Sequence, residues 1–142
     1  MTLFKHAFIL LIISTILSGC AATGAKYQAV EAIPSDKALI TFYRPKAFTG
    51  SAVSIKLVDN DSTIGSIQNG QFINYFTDAG SHRIHTKTAA IDKPLELNLE
   101  AGQHYFIKTI LRQGLWVSTW SLSRVFKEEA ISELDECCKS GQ

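Results

Sequence analysis

The thiols and imidazoles are the side chains of this sequence best suited to chemistry, and the spacing of each set limits what it could do. Cys137 and Cys138 are adjacent. Neighbouring α-carbons stand about 3.8 Å apart, closer than ordinary disulfides allow, so a bridge between them would be strained and readily reduced. The pair could serve as a redox switch, or either thiol could couple two proteins. Against this, Glu133, Asp135 and Glu136 disfavour a reactive thiolate, and Cys138 continues an apolar helical stripe. His82, His85 and His104 invite a metal reading, because imidazole is the commonest transition-metal ligand. Residues 82 and 85 of one strand face opposite sides, and His82 meets His104 only if their strands pair. No acidic or cysteine ligand set accompanies them. Structural turn histidines are the better reading, and no metal is expected. Tyr43-Arg44-Pro45 offers a third constellation: Arg44 at a strand end could bind a partner's carboxylate or phosphate, with Tyr43 as an amphipathic platform. The plainer alternative is an edge-strand arginine that is solvated or paired locally.

Signatures of catalysis are missing. The sequence has no G-x-S-x-G elbow, no H-E-x-x-H, no phosphate-cradling glycine loop and no catalytic-cysteine context. Asp59-Asn60-Asp61 opens like a calcium loop, but Ile64 and Gly70 stand where such a loop needs Gly and Glu. No catalytic residue, cofactor or enzymatic activity is therefore expected. The 142 residues suggest one domain.

Cys20 carries a different chemistry, set by what precedes it. Lys5 and His6 give a short basic start, and Ala7 to Leu17 is apolar except for Ser14 and Thr15. A membrane-spanning helix needs about 20 apolar residues, so this run is too short to be a stable span and has the layout of an export signal. Leu17-Ser18-Gly19-Cys20 closes it and resembles the lipobox of bacterial lipoproteins. The resemblance implies cleavage before Cys20, a diacylglycerol on its sulfur and, in many bacteria, a third acyl chain on its amine. Two or three chains make release from a membrane negligible. The next residue is Ala21 rather than the Asp that often retains such proteins at the inner membrane, which favours the outer membrane and a periplasm-facing domain. Residues 20–36 read as the lipidated N-terminus and a tether. With 14 Lys+Arg against 13 Asp+Glu, loss of Lys5 with the leader leaves a neutral mature chain. That offers no electrostatic case for nucleic acid or for a polybasic membrane surface.

Residues 37–142 must position whatever the domain does. Ala38 to Arg44 is β-branched and aromatic, and Pro45 stops it. Ala52 to Val58 alternates, Asp59-Asn60-Asp61 turns, and Ser62 to Ile67 returns. Asn69-Gly70 predicts a type I′ hairpin leading into Phe72 to Thr77. Asp78-Ala79-Gly80-Ser81-His82 and Glu100-Ala101-Gly102-Gln103-His104 repeat acid-Ala-Gly-x-His, each opening a strand, as duplicated hairpin units would. Leu95, Leu97 and Leu99 alternate between them. Trp116 to Leu122 predicts a last strand with Trp116 and Trp120 on one face, either core or, if exposed, a stacking platform. Phe126, Ala130, Leu134 and Cys138, with Ile131, form the apolar stripe of an amphipathic helix; Glu128, Glu129, Glu133 and Asp135 point away. The chain is thus read as mostly β, an antiparallel sandwich of about seven to eight strands with a C-terminal helix.

Leu39-Ile40-Thr41-Phe42-Tyr43-Arg44-Pro45, Gly65 followed by Asn69-Gly70, the Ala79-Gly80-x-His82 turn and Gly102-x-x-Tyr105 together resemble a family of small bacterial lipoproteins with a β-rich domain of unknown function. The resemblance implies envelope location and a β-rich fold, and supplies no catalytic residues. The function expected is a non-catalytic binding or structural module, anchored through acylated Cys20 and engaging another envelope protein. The alternative is a redox- or metal-responsive sensor or carrier using Cys137-Cys138 or the histidines.

Overall fold

The computed structural model describes residues 24–87, 93–116 and 118–141. Cys20 and the leader lie outside the described residues. The strands are β1 (Lys37–Arg44), β2 (Ile55–Asp59), β3 (Ser62–Ile67), β4 (Gln71–Asp78), β5 (Gly80–Lys87), β6 (Leu95–Leu99), β7 (His104–Gln113), β8 (Ser118–Val125) and β9 (Lys139–Ser140), with helix α1 (Lys127–Cys137) before the last. They form a β-sandwich: one sheet in the order β8-β7-β1-β4-β9, the other β3-β2-β5-β6.

Period-two alternation places the core. Ala38, Ile40 and Phe42 of β1 meet Ile55 and Leu57 of β2, Ile84 of β5 and Ile107 of β7 between the sheets. The other face of the larger sheet is also covered. Tyr43, Phe72 and Phe106 pack there against Ala130 and Leu134 of α1 and against Tyr27. Strand β1 is therefore buried on both faces, which is why its run of apolar and aromatic residues is nearly unbroken.

Tyr43 Oη donates to Glu133 Oε2 at 2.6 Å, and Lys108 Nζ donates to the other oxygen of that carboxylate. Burial pushes the Glu133 carboxyl up, but these two hydrogen bonds and the Lys108 charge outweigh it and hold the group below the ordinary range. Burial, reinforced by Glu133, drives the Tyr43 phenol far above its ordinary value. Glu133 thus faces the sheet rather than solvent and clamps the helix to β1 and β7.

Several expectations are corrected. Strand β1 pairs with β7 in parallel, Leu39 opposite His104, so the larger sheet is mixed rather than antiparallel. Asn69-Gly70 joins β3 to β4, which lie in different sheets, and so forms a corner instead of a hairpin. The Asn69 side chain accepts from Ala47 N and donates to Ala47 O, each at 2.9 Å, fastening the loop after β1. The two Ala-Gly-x-His turns are corners as well, one leaving the larger sheet after β4, the other re-entering it before β7. Strand β8 begins only at Ser118, leaving Trp116 in the exposed turn before it while Trp120 is buried. The tether reading of residues 20–36 also shortens. Tyr27 is buried, and Ala25 O accepts from Ser140 N at 2.7 Å, so residues 25–27 are docked on the domain.

Candidate functional site

The sequence singled out Tyr43 and Arg44 as a partner-binding pair, and the structure turns both inward. Arg44 is only 2% exposed. Its Nη1 donates to Val53 O at 2.5 Å and its Nη2 to Gly50 O at 2.6 Å, while the guanidinium lies 4.4 Å from the centre of the Trp120 ring. Burial lowers its pKa, and the carbonyl dipoles and ring face stand in for a counter-ion. Arg44 folds the loop after β1 back onto β8. It is not a recognition arginine, and Tyr43 is engaged by Glu133.

The three histidines have separate surroundings. His82 is buried, its Nδ1 2.6 Å from Asp59 Oδ2 and its Nε2 3.0 Å from Asp78 O. Tyr75 Oη of the other sheet donates to the same Asp59 oxygen at 3.2 Å, so Asp59 ties the two layers together. His85 lies further along β5, half-buried, and His104 lies in the other sheet. Among the described residues no three His, Cys, Asp or Glu side chains are grouped as a metal site requires. Cys137 and Cys138 are joined by a disulfide at the end of α1, immediately before β9. The Cys138 side is buried, its Sγ 3.5 Å from Arg44 O.

A cleft of about 520 Å³ opens where β7 and β8 meet the start of α1. His104 forms its inner wall, stacked on Phe106 with ring centres 4.1 Å apart. Thr41 Oγ1 gives its one proton to Asn74 Oδ1 at 2.7 Å, so His104 Nε2, also 2.7 Å away, must donate to Thr41. Burial, with a smaller contribution from the Lys127 charge, pulls His104 down to about 4, leaving a neutral imidazole at physiological pH. Arg124 lies across the Tyr105 ring at 4.7 Å. Phe126, assigned from its spacing to the buried stripe, stands at the N-cap of α1 and is 81% exposed. The helix has no side-chain hydrogen bond capping its start. An aromatic rim between Arg124 and Lys127, two cations against the one carboxylate of Glu128 in the lining, suits binding of an apolar side chain next to an anionic group. Sequence reasoning missed this site because Phe126 falls one turn before Ala130; the readable signal was the basic-aromatic cluster Arg124-Val125-Phe126-Lys127.

Neutral His104 makes a testable contribution to stability. Its folded pKa lies below the unfolded value, so the unfolded chain binds the extra proton first, and stability falls as pH drops from about 6.5 toward about 4. Urea denaturation of His104→Gln across that window is expected to give a shallower dependence than the parent chain. An unchanged slope refutes the assignment.

Comparison with known proteins adds a family and no activity. Residues 34–119 match the model of a family described as protein of unknown function (DUF2846). An uncharacterized protein of Haemophilus influenzae is 32% identical over 92 residues, which is 63% of this chain and 55% of that relative. The chain thus spans about half the length of the relative it matches. No solved structure matches. The family match takes in β1 through β7 and the corners between the sheets, and stops before the aromatic rim of the cleft. On that extent of match, the chain belongs to the DUF2846 family.

Proposed function

We propose that this chain is a lipid-anchored protein of the bacterial outer membrane, facing the periplasm, whose domain binds another envelope protein without catalysing a reaction. The anchor is supported by the Leu17-Ser18-Gly19-Cys20 junction after a short apolar run. The observation that carries the binding role is Phe126, a large aromatic side chain left in solvent between Arg124 and Lys127 at the mouth of the cleft beside His104. The partner surface that fits is an apolar side chain flanked by acidic groups. A photo-crosslinking residue at position 126, introduced in the native cells, is expected to capture one dominant envelope protein. Arg124→Glu with Lys127→Glu is expected to abolish that capture while leaving the purified domain folded. Capture of nothing reproducible, or capture indifferent to the charge reversal, overturns the reading. Labelled palmitate should enter the chain and be lost in Cys20→Ser.

A second reading is favoured by one observation, the bridged state of Cys137 and Cys138 next to β9. Strand β9 pairs with Gln71 and Phe72 of β4 and bridges to Lys26, so reduction could loosen the edge where the N-terminal segment docks. Increased proteolysis near Lys26 on mild reduction supports a redox-responsive role. A cleavage pattern unchanged by reduction excludes it.

A further inference from the structure

Three of the most exposed apolar side chains in the described structure gather at one end of the sandwich. Phe48 is 97% exposed in the loop after β1, and Leu115 and Trp116 are 90% and 91% exposed at the tip of the β7–β8 hairpin. The two segments are neighbours. Ala47 and Thr49, on either side of Phe48, line one cleft with Leu111 and Gln113 of β7, and Gly50 lies against Leu111 and Trp120. Because β7 runs parallel to β1 and pairs Lys108 with Tyr43, the hairpin continues past the end of β1. At a rise of about 3.3 Å per residue, its tip projects roughly 16 Å beyond Tyr43.

The charge carried by the two loops themselves has one sign. Residues 45–58 and 101–127 contain no Asp or Glu, and exposed Lys46 and Arg112 flank the apolar side chains. Nothing in the core needs such a tip: Trp120 and Leu122 already fill the inner face of β8. A soluble loop of this length is ordinarily polar, so an exposed Phe, Leu and Trp rimmed by cations has the composition of an interfacial membrane contact.

We propose that this end of the domain rests on a bilayer, with Phe48, Leu115 and Trp116 entering the headgroup boundary and Lys46 and Arg112 on anionic phospholipid headgroups. The proposal goes beyond the lipid-anchor reading and rests on it only for placing the protein at a membrane. Gly24, where the described chain begins, lies beside Ser140 near the start of β4, in the half of the sheet from which both loops project. Cys20 precedes it by a contour of at most about 14 Å, short enough to keep the domain against the surface.

The test uses the mature chain with Cys20→Ser, so that binding reports the tip and not the anchor. Its partition onto vesicles of phosphatidylcholine with phosphatidylglycerol is measured by flotation, alongside quenching of tryptophan fluorescence by brominated lipid. The expected results are binding that rises with the phosphatidylglycerol fraction, falls with salt, and drops at least about tenfold in Leu115→Ser with Trp116→Ser. Trp116→Phe should remove the quenchable emission and leave that of buried Trp120. Absence of vesicle binding at every composition, or binding unchanged in the Leu115 and Trp116 variant, overturns the proposal. So does a dimer, seen by sedimentation, that the same substitutions dissolve. None of these outcomes bears on the anchor, which palmitate labelling of the unaltered chain reads separately.

Discussion

Replacing Arg44 by alanine is expected to lower the stability of the domain by about 2–4 kcal/mol, read as a fall in the urea midpoint at unchanged slope. The change removes two donors from the carbonyls of Val53 and Gly50 and leaves a void beside the Trp120 ring. Lysine at this position keeps the charge but not the planar fork, so it cannot hold two carbonyls and stack on the indole at once; Arg44→Lys should cost about 1–2 kcal/mol. A loss below about 0.5 kcal/mol for alanine would place Arg44 outside the supports of the fold. The prediction also has a practical edge. Loss of partner capture in Arg44→Ala would report unfolding, whereas the exposed Arg124 and Lys127 can be reversed in charge without opening a cavity.

The second large effect is expected at Phe42. Its ring is fully buried on the central strand of the larger sheet and lies 6.5 Å from that of Tyr75. Alanine there removes most of a side chain from between two sheets that cannot close over the gap, a loss of about 3–5 kcal/mol. Phe76, half exposed on neighbouring β4, is the matched comparison, and its truncation should cost less than about 1 kcal/mol. Equal losses at the two positions would contradict the assignment of the inner face.

What could be read in advance follows from how local each cause is. The strands at Lys37–Arg44, Leu95–Leu99 and His104–Gln113 declare themselves through β-branched alternation, and α1 through its spacing of four, because these signals lie within single elements. Asn69-Gly70 is ambiguous on its own because the same dipeptide serves a hairpin or a corner. The choice is made by Ala47, which bonds to the Asn69 side chain from a distant loop. Tyr27 gave no periodic signal, since one aromatic ring in a polar segment is enough to dock it against Phe72, with ring centres 5.4 Å apart. Arg44 is the clearest case of context overriding composition. An arginine before a proline reads as a solvent-facing strand end, and only the return of the Gly50–Val53 backbone reveals that it is enclosed. The cleft at α1 was hidden for the opposite reason: Phe126 fits the helical stripe by spacing, but it precedes the first helical turn and never reaches the sheet.

The parallel pairing of β1 with β7 has a consequence in time. The middle strand of the larger sheet is made first, yet its two neighbours, β4 and β7, come later in the chain, and Leu39 waits for both Phe76 and His104. Closing so long a loop must precede the contacts that reward it, so the parallel pairing with β7 adds to a β1–β4 pair whose strands lie closer together in the chain. While β7 is still being synthesised, Phe42 and Tyr43 have nothing to be buried against on that side. The larger sheet is therefore complete only once the last third of the chain has been made, because β7, β8 and β9 all lie there.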